Sequence, residues 1–169
     1  MGLGIFMAIR LRKKGLLDKA QFAAFIVLVI WSSIVLFLTV LGRRSKPDTY
    51  GFNLVLFSSY QGLFDEANSA VLSTALLNIL LFVPIGFTLS VVFKNKHRLL
   101  IPLLISFGFS LLIETCQLLL QSGFFELDDL FHNTLGGLIG ILLCLLSGMI
   151  YRTIQNKRKE VSLEPKDDR

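Results

Sequence analysis

Residues 99–121 read LLIPLLISFGFSLLIETCQLLLQ, and the only charge in this run is Glu114. About 20 apolar residues are enough to cross the hydrocarbon core of a bilayer. Three more windows of similar length carry no charge at all: Ala20–Gly42, Val71–Phe93 and Leu130–Tyr151. The apolar runs are continuous rather than alternating, which suits helices and argues against membrane strands. Composition agrees, since 53% of the 169 residues are hydrophobic and 17% charged, more apolar than a soluble domain of this size needs. The expected fold is all-α: a polytopic membrane protein built as a four-transmembrane-helix bundle. One membrane domain covers residues 1–152, with spans at about 20–42, 71–93, 99–121 and 130–151. A polar tail, residues 153–169, is expected to be disordered and cytoplasmic.

The net charge of +5 gives no reason to expect nucleic acid, because the cations sort by loop. Arg10, Arg12, Lys13, Lys14 and Lys19 precede the first span; Lys94, Lys96 and Arg98 fill the second loop; six more follow from Arg152 onward. The first loop has only Arg43, Arg44 and Lys46, offset by Asp48, Asp65 and Glu66, and the third loop has none. The positive-inside rule then puts both termini in the cytoplasm and loops one and three outside. The basic segments are expected to meet anionic lipid headgroups. In the opening MGLGIFMAIRLRKK (1–14) the apolar part precedes the basic part, the reverse of a secretory signal, so the first span reads as an uncleaved anchor. Cys116 and Cys144 both lie inside spans and read as small packing residues, not a disulfide framework. The five-residue second loop predicts a tight antiparallel hairpin of the second and third spans.

The first loop contains YGFNLVLFSSYQGLF (50–64), uncharged, aromatic and too short to span. Tyr50, Phe52, Phe57, Tyr60 and Phe64 either lie at headgroup depth or belong to a loop packed over the helix ends. Inside the spans, polar residues gather at one level. Asn78 is seven residues below the outer start of the second span, and Glu114 seven below the outer end of the third. Both are therefore ~10 Å beneath the outer surface. Asn133 lies near the start of the fourth span, one turn below Asp129. Ser110, Glu114, Gln117 and Gln121 are spaced four, three and four apart and form one stripe; Thr74 shares a helix face with Asn78.

A charged group at mid-span costs roughly 2.5–3.5 kcal/mol on insertion scales, so an intramembrane acid marks a site more often than it marks packing. Glu114 is the acid in question; it is either protonated or held by the amides of Asn78, Gln117 and Asn133. The alternative, polar side chains gluing helices together, is favoured for Gln117 and stands level with a site role for Asn78 and Asn133. In the third loop, GFFELDDLFHN (123–133), Asp128 and Asp129 are either helix caps or, with Glu126, the acidic rim of an outward pocket. His132 follows Asp129 by three residues, but no tight metal-ligand spacing is present and no metal or cofactor is expected. Gly136-x-x-x-Gly140 permits close helix approach, and Pro84 with Gly86 predicts a kink in the second span.

Three blocks, NILLFVPIGF (78–87), IETCQ (113–117) and ELDDLFHNTLGGLIG (126–140), resemble the VanZ-like family of bacterial membrane proteins. The resemblance implies a multi-pass protein of the bacterial cell membrane, in a family whose founding member is linked to teicoplanin resistance. The family pattern carries over at Asn78, Pro84, Gly86, Glu114, Gln117, Asp128, Asp129, Asn133, Gly136 and Gly140. Two departures stand out. The family's Asn-Leu-x-Pro-Phe element reads NLVLF at Asn53–Phe57, and where the family places an arginine before the acidic pair this chain has Ser122, Gly123 and Phe124. Arg43 or Arg44 is the candidate substitute.

The expectation is therefore an envelope protein whose outward pocket engages a lipid-linked or cell-wall-related molecule, or a glycopeptide. Glu114 and Asp129 would act as proton donor and acceptor, while Asn78, Gln117, Asp128 and Asn133 would bind. Whether a reaction is catalysed is left open. Two alternatives stand beside it: a non-enzymatic membrane scaffold or binding protein, and a small proton-coupled transporter. The transporter would have to oligomerise, since four helices are few for alternating access.

Overall fold

The computed structural model describes residues 2–15, 17–42, 50–57, 60, 68–94 and 98–163. Arg43, Arg44, Lys46 and Phe64 lie outside the described residues. Helix α1 is Gly2–Lys13 and α2 is Lys19–Leu36, continued by a π-helical turn over Phe37–Leu41. Strand β1 is Gly51–Asn53, α3 is Asn68–Val92, α4 is Leu100–Leu119, β2 is Phe124–Glu126 and α5 is Leu127–Leu163. Four stretches are helical, long and apolar enough to cross a membrane: Lys19–Leu41, Val71–Val92, Leu100–Leu119 and Leu127–Lys159. Their outer faces are greasy, with Leu72, Leu80, Leu104, Leu119 and Leu142 all at least half exposed. That is how helices look when lipid, not water, is their solvent.

Helix α2 starts with a capping box: Gln21 N donates to Asp18 Oδ1 and Asp18 N donates to Gln21 Oε1. Gln21 also reaches across to donate to Val92 O at 2.8 Å, capping the last carbonyl of α3. Lys94 pairs with Asp18 at 2.6 Å beside it. Further along, Trp31 Nε1 donates to Leu81 O at 2.8 Å. Leu81 is one residue past Leu80, whose carbonyl the missing Pro84 N–H leaves without its helical donor. These contacts fix α2 antiparallel to α3. Val35, Val40, Phe82, Ile85, Leu89 and Ile113 form the apolar core between α2, its π turn, α3 and α4.

The most extensive packing in the molecule is between α3 and α5. It is backbone against backbone. A Cβ placed on Gly136 would sit 2.2 Å from Ile79 O, one on Gly140 2.0 Å from Val83 O, and one on Gly86 1.9 Å from Gly137 O. The pairing of 79 with 136 and 83 with 140 makes the two helices parallel. Helix α4 lies antiparallel to α5: Asn133 Nδ2 donates to Ser110 Oγ at 3.0 Å, and Ser106 packs against Gly137. The expected tight hairpin of the second and third spans, α3 and α4, is instead a light contact. Glycines draw α3 onto α5, whereas the rings of Phe82 and Phe109, 5.8 Å apart, stand between α3 and α4.

Helix α4 ends in a Schellman motif, with Ser122 N donating to Gln117 O and Gln121 N to Leu118 O. Gln121 takes the left-handed conformation (φ 51°) that this ending requires. Past it, β2 pairs in parallel with β1, Gly51 opposite Phe124, Phe52 opposite Phe125 and Asn53 opposite Glu126. The first and third loops are thereby joined into one cap over the helix ends. The tail departs from expectation, because α5 runs on to Leu163. No glycine or proline intervenes between Tyr151 and Leu163, and the Gln, Lys, Arg and Glu residues there are good helix formers.

Candidate functional site

The end of the bundle covered by the β1/β2 cap is where the polar side chains meet. Strand β2 leads directly into α5, so Asp128 and Asp129 occupy the first turn of that helix, where the dipole and free amides favour acids. Asp128 is buried and accepts a hydrogen bond from Phe57 N. Phe57 is left-handed (φ 62°), an unusual conformation for a bulky residue. Its ring is met edge-on by Phe131 at 5.4 Å and by Tyr60 at 6.1 Å, which holds the strained backbone in place. Asp129 accepts from Asn78 Nδ2 at 2.7 Å, tying α5 to α3. One turn on, His132 Nε2 lies 2.8 Å from the Tyr60 hydroxyl, while its Nδ1 is buried with no hydrogen-bond partner among the described residues.

These groups enclose a cavity of about 280 Å³. Its polar wall is Tyr60, Thr74, Glu126, Asp128, Asp129 and His132; Val71 and Ala75 of α3 give the apolar side. Two of the six residues selected from sequence, Asp128 and Asp129, line it. Asn78 stands behind Asp129 as its donor. The other three lie further back. Glu114, 1% exposed, accepts from the backbone N–H of Glu126 at 3.1 Å, so it anchors the strand that carries a cavity acid. Gln117 Nε2 donates to Thr39 O in the π turn at 3.0 Å, and Asn133 bonds Ser110. From sequence Tyr60 reads only as an aromatic of the first loop, and His132 only as a conceivable metal ligand. The three-residue spacing of Asp129 and His132, which puts both on one helix face, was the available signal for the histidine.

A model of the VanZ/LLP1 family matches residues 22–149, three quarters of the chain and every residue of this cavity. The chain belongs to the VanZ/LLP1 family. No curated protein and no solved structure matches it. The VanZ/LLP1 match leaves out α1 and the far end of α5, so the family segment is the four long helices with their cap.

Within this VanZ/LLP1 site the described lining carries acidic side chains. No Lys or Arg lines the cavity among the described residues. Burial, and then the negative charges of Asp128 and Asp129, raise the Tyr60 phenol above its ordinary pKa, so it remains a neutral hydroxyl. No three His, Cys, Asp or Glu side chains among the described residues form a metal-holding group. The lining places its carboxylates at Glu126, Asp128 and Asp129. Such a wall can accept hydrogen bonds from a ligand at several places at once.

Proposed function

We propose that this VanZ/LLP1 protein is a multi-pass protein of the bacterial cell membrane with both termini cytoplasmic, and that its cavity opens outward. There it engages the head group of a lipid-linked or cell-wall-related molecule, and glycopeptide (teicoplanin) susceptibility is the cellular readout. The observation that carries the reading is the cavity itself: a polar, acidic hollow at the capped end of an otherwise greasy bundle. Charge supports the orientation, since Lys94, Arg98 and the basic run from Arg152 sit toward the opposite end. Asp129, on the wall and steadied by Asn78, is the acid that meets the ligand. Glu114 acts behind it by fixing Glu126, with Gln117 and Asn133 holding the helices around it.

Susceptibility tests the reading directly. A host expressing the wild type, Asp129→Asn or Glu126→Gln at equal membrane levels should lose the phenotype with each substitution. Cysteine labelling at position 124, in a chain with Cys116 and Cys144 replaced, should succeed from outside intact cells. Labelling only from the cytoplasmic side would remove the orientation. A second reading, a membrane scaffold, is favoured by the Asn133–Ser110 and Gln117–Thr39 bonds, which join helices without touching the cavity. It predicts that Asp129→Asn, still able to accept from Asn78, changes nothing.

A further inference from the structure

We infer that α1 is a re-entrant half-helix: from the turn at Gly15 it dips back into the bilayer beside α2, with its apolar stretch among acyl chains and its cations at the phosphates of anionic phospholipids. The VanZ/LLP1 match begins at residue 22, so this helix lies outside it. The two helices form a hairpin. Helix α1 ends at Lys13, and Gly15, left-handed (φ 72°) with its N–H donating to Arg12 O, turns the chain. Asp18 then caps α2. Gly4 lies against the Val29 side chain, where a Cβ would come within 3.1 Å, and the Arg12 guanidinium stands over the Phe22 ring at 4.7 Å. Pairing 4 with 29 and 12 with 22 makes α1 run back along α2 in the opposite direction.

Depth follows from this pairing. Lys19–Leu41 is long and apolar enough to cross a membrane, and Val29 is ten residues past Lys19. Gly4 therefore stands about 15 Å along that path, half of the ~30 Å hydrocarbon core. The sequence suits both ends of the dip. Residues 2–9 carry no charge, and Arg10, Arg12, Lys13 and Lys14 follow, all exposed. Phe6 is 63% and Ile9 41% exposed, on the face turned away from Gly4. Beside them α2 exposes Val27 and Ile30, so the lipid that covers those residues also covers α1. The first acid in the chain is Asp18, and Lys94 engages it at 2.6 Å. The four cations of α1 and its turn thus meet the headgroup level of the leaflet, where anionic phosphates supply the matching charge. One cost is visible: the first-turn N–H groups of α1 have no helical acceptor, and a helix lying in the surface plane would hydrate them. Depth separates the two arrangements.

Single nitroxide labels on cysteines at positions 6, 9 and 13, which share a face of α1, test this in the full-length chain with Cys116 and Cys144 replaced by alanine. The protein is reconstituted in vesicles of phosphatidylglycerol and phosphatidylcholine, and depth is read from collision with oxygen and with a water-soluble nickel chelate. Depth should increase from 13 through 9 to 6, by about 10 Å in all. Trp31 fluorescence reports that each labelled chain is folded. Equal depths at the three positions would mean a helix in the surface plane and overturn the re-entrant arrangement, as would chelate access at 6 as high as at 13. Dipolar broadening between labels at position 6 would mean that a second copy, not lipid, covers this face, and would overturn the lipid contact. The headgroup contact has its own readout. Replacing Arg10, Lys13 and Lys14 together by glutamine should lower the retention of spin-labelled phosphatidylglycerol relative to phosphatidylcholine by roughly fivefold or more at low salt, since one cation near an anionic surface is worth about that factor. An unchanged ratio would overturn the assignment of these cations to lipid phosphates.

Discussion

Helices α3 and α5 meet twice, and the two meetings are opposites. From Ile79 and Gly136 onward they touch through backbone, with no room for a methyl group at Gly86, Gly136 or Gly140. One turn earlier, between Thr74 or Ala75 and Asp129 or His132, the same pair diverges enough to leave about 280 Å³. The change follows from side-chain size. Glycine lets the axes close, while Asp, His and the β2 strand hold them apart. Stability is therefore concentrated in the seam and the polar side chains in the opening, and substitutions in the two should fail in different ways.

The largest effect belongs to the seam. Gly136→Val or Gly140→Val should destabilise by about 3 kcal/mol or more, because the new side chain collides with the α3 main chain rather than with a movable side chain. Reversible unfolding in mixed micelles followed by Trp31 fluorescence measures it; a change of a few tenths would mean that the helices are not this close. Next comes the anchor of the cap. Glu114→Leu strands the Glu126 N–H and should cost about 1–3 kcal/mol, whereas Glu114→Gln keeps an acceptor oxygen and should lie near the wild type. Equal losses for both would show that the charge, not the acceptor, matters. Trp31→Phe removes the donor to Leu81 O and should cost about 1 kcal/mol in thermal unfolding monitored by circular dichroism. Asn133→Leu severs the bond to Ser110 and should cost about 0.6 kcal/mol, the average for such bonds between membrane helices.

The smallest effect is at the far end from the cavity. The hydrogen bond from Lys94, aided by the Gln21 amide, holds Asp18 below the ordinary carboxylate pKa. Its folded-state value is thus lower than its unfolded one, so its contribution is present above the ordinary range and is lost as pH falls through the folded value. Both side chains are about half exposed, so salt should screen the pair. Asp18→Asn should therefore lower stability slightly near neutrality at low salt, flatten the acid limb of the stability curve, and leave stability unchanged at a pH below the folded value, as thermal unfolding against pH would show.

The same contrast explains what could be read from sequence. The spans were legible because crossing a bilayer demands a length that no core helix needs. The acids at 126, 128 and 129 were legible because they are the only charges in the third loop. The partner of the Gly136/Gly140 face was not, since spacing names a sticky face but not what sticks to it. Strands β1 and β2 were hidden because three residues are too few for an alternation to register, and they pair across more than 70 positions of chain. Tyr60 was hidden for the same reason: it reaches the cavity only through the cap. The extension of α5 is not visible in polarity, which disordered tails share; it follows from the lack of any glycine or proline between Tyr151 and Pro165.

The parallel pairing of Gly51–Asn53 with Phe124–Glu126 also sets a timetable for biogenesis. During synthesis the earlier strand must wait, unpartnered, until two further helices have been made and threaded. A chain halted before residue 124 should leave its Phe52 segment open to protease, and release of the next few dozen residues should close it; protection in the halted chain would mean that the segment finds shelter elsewhere.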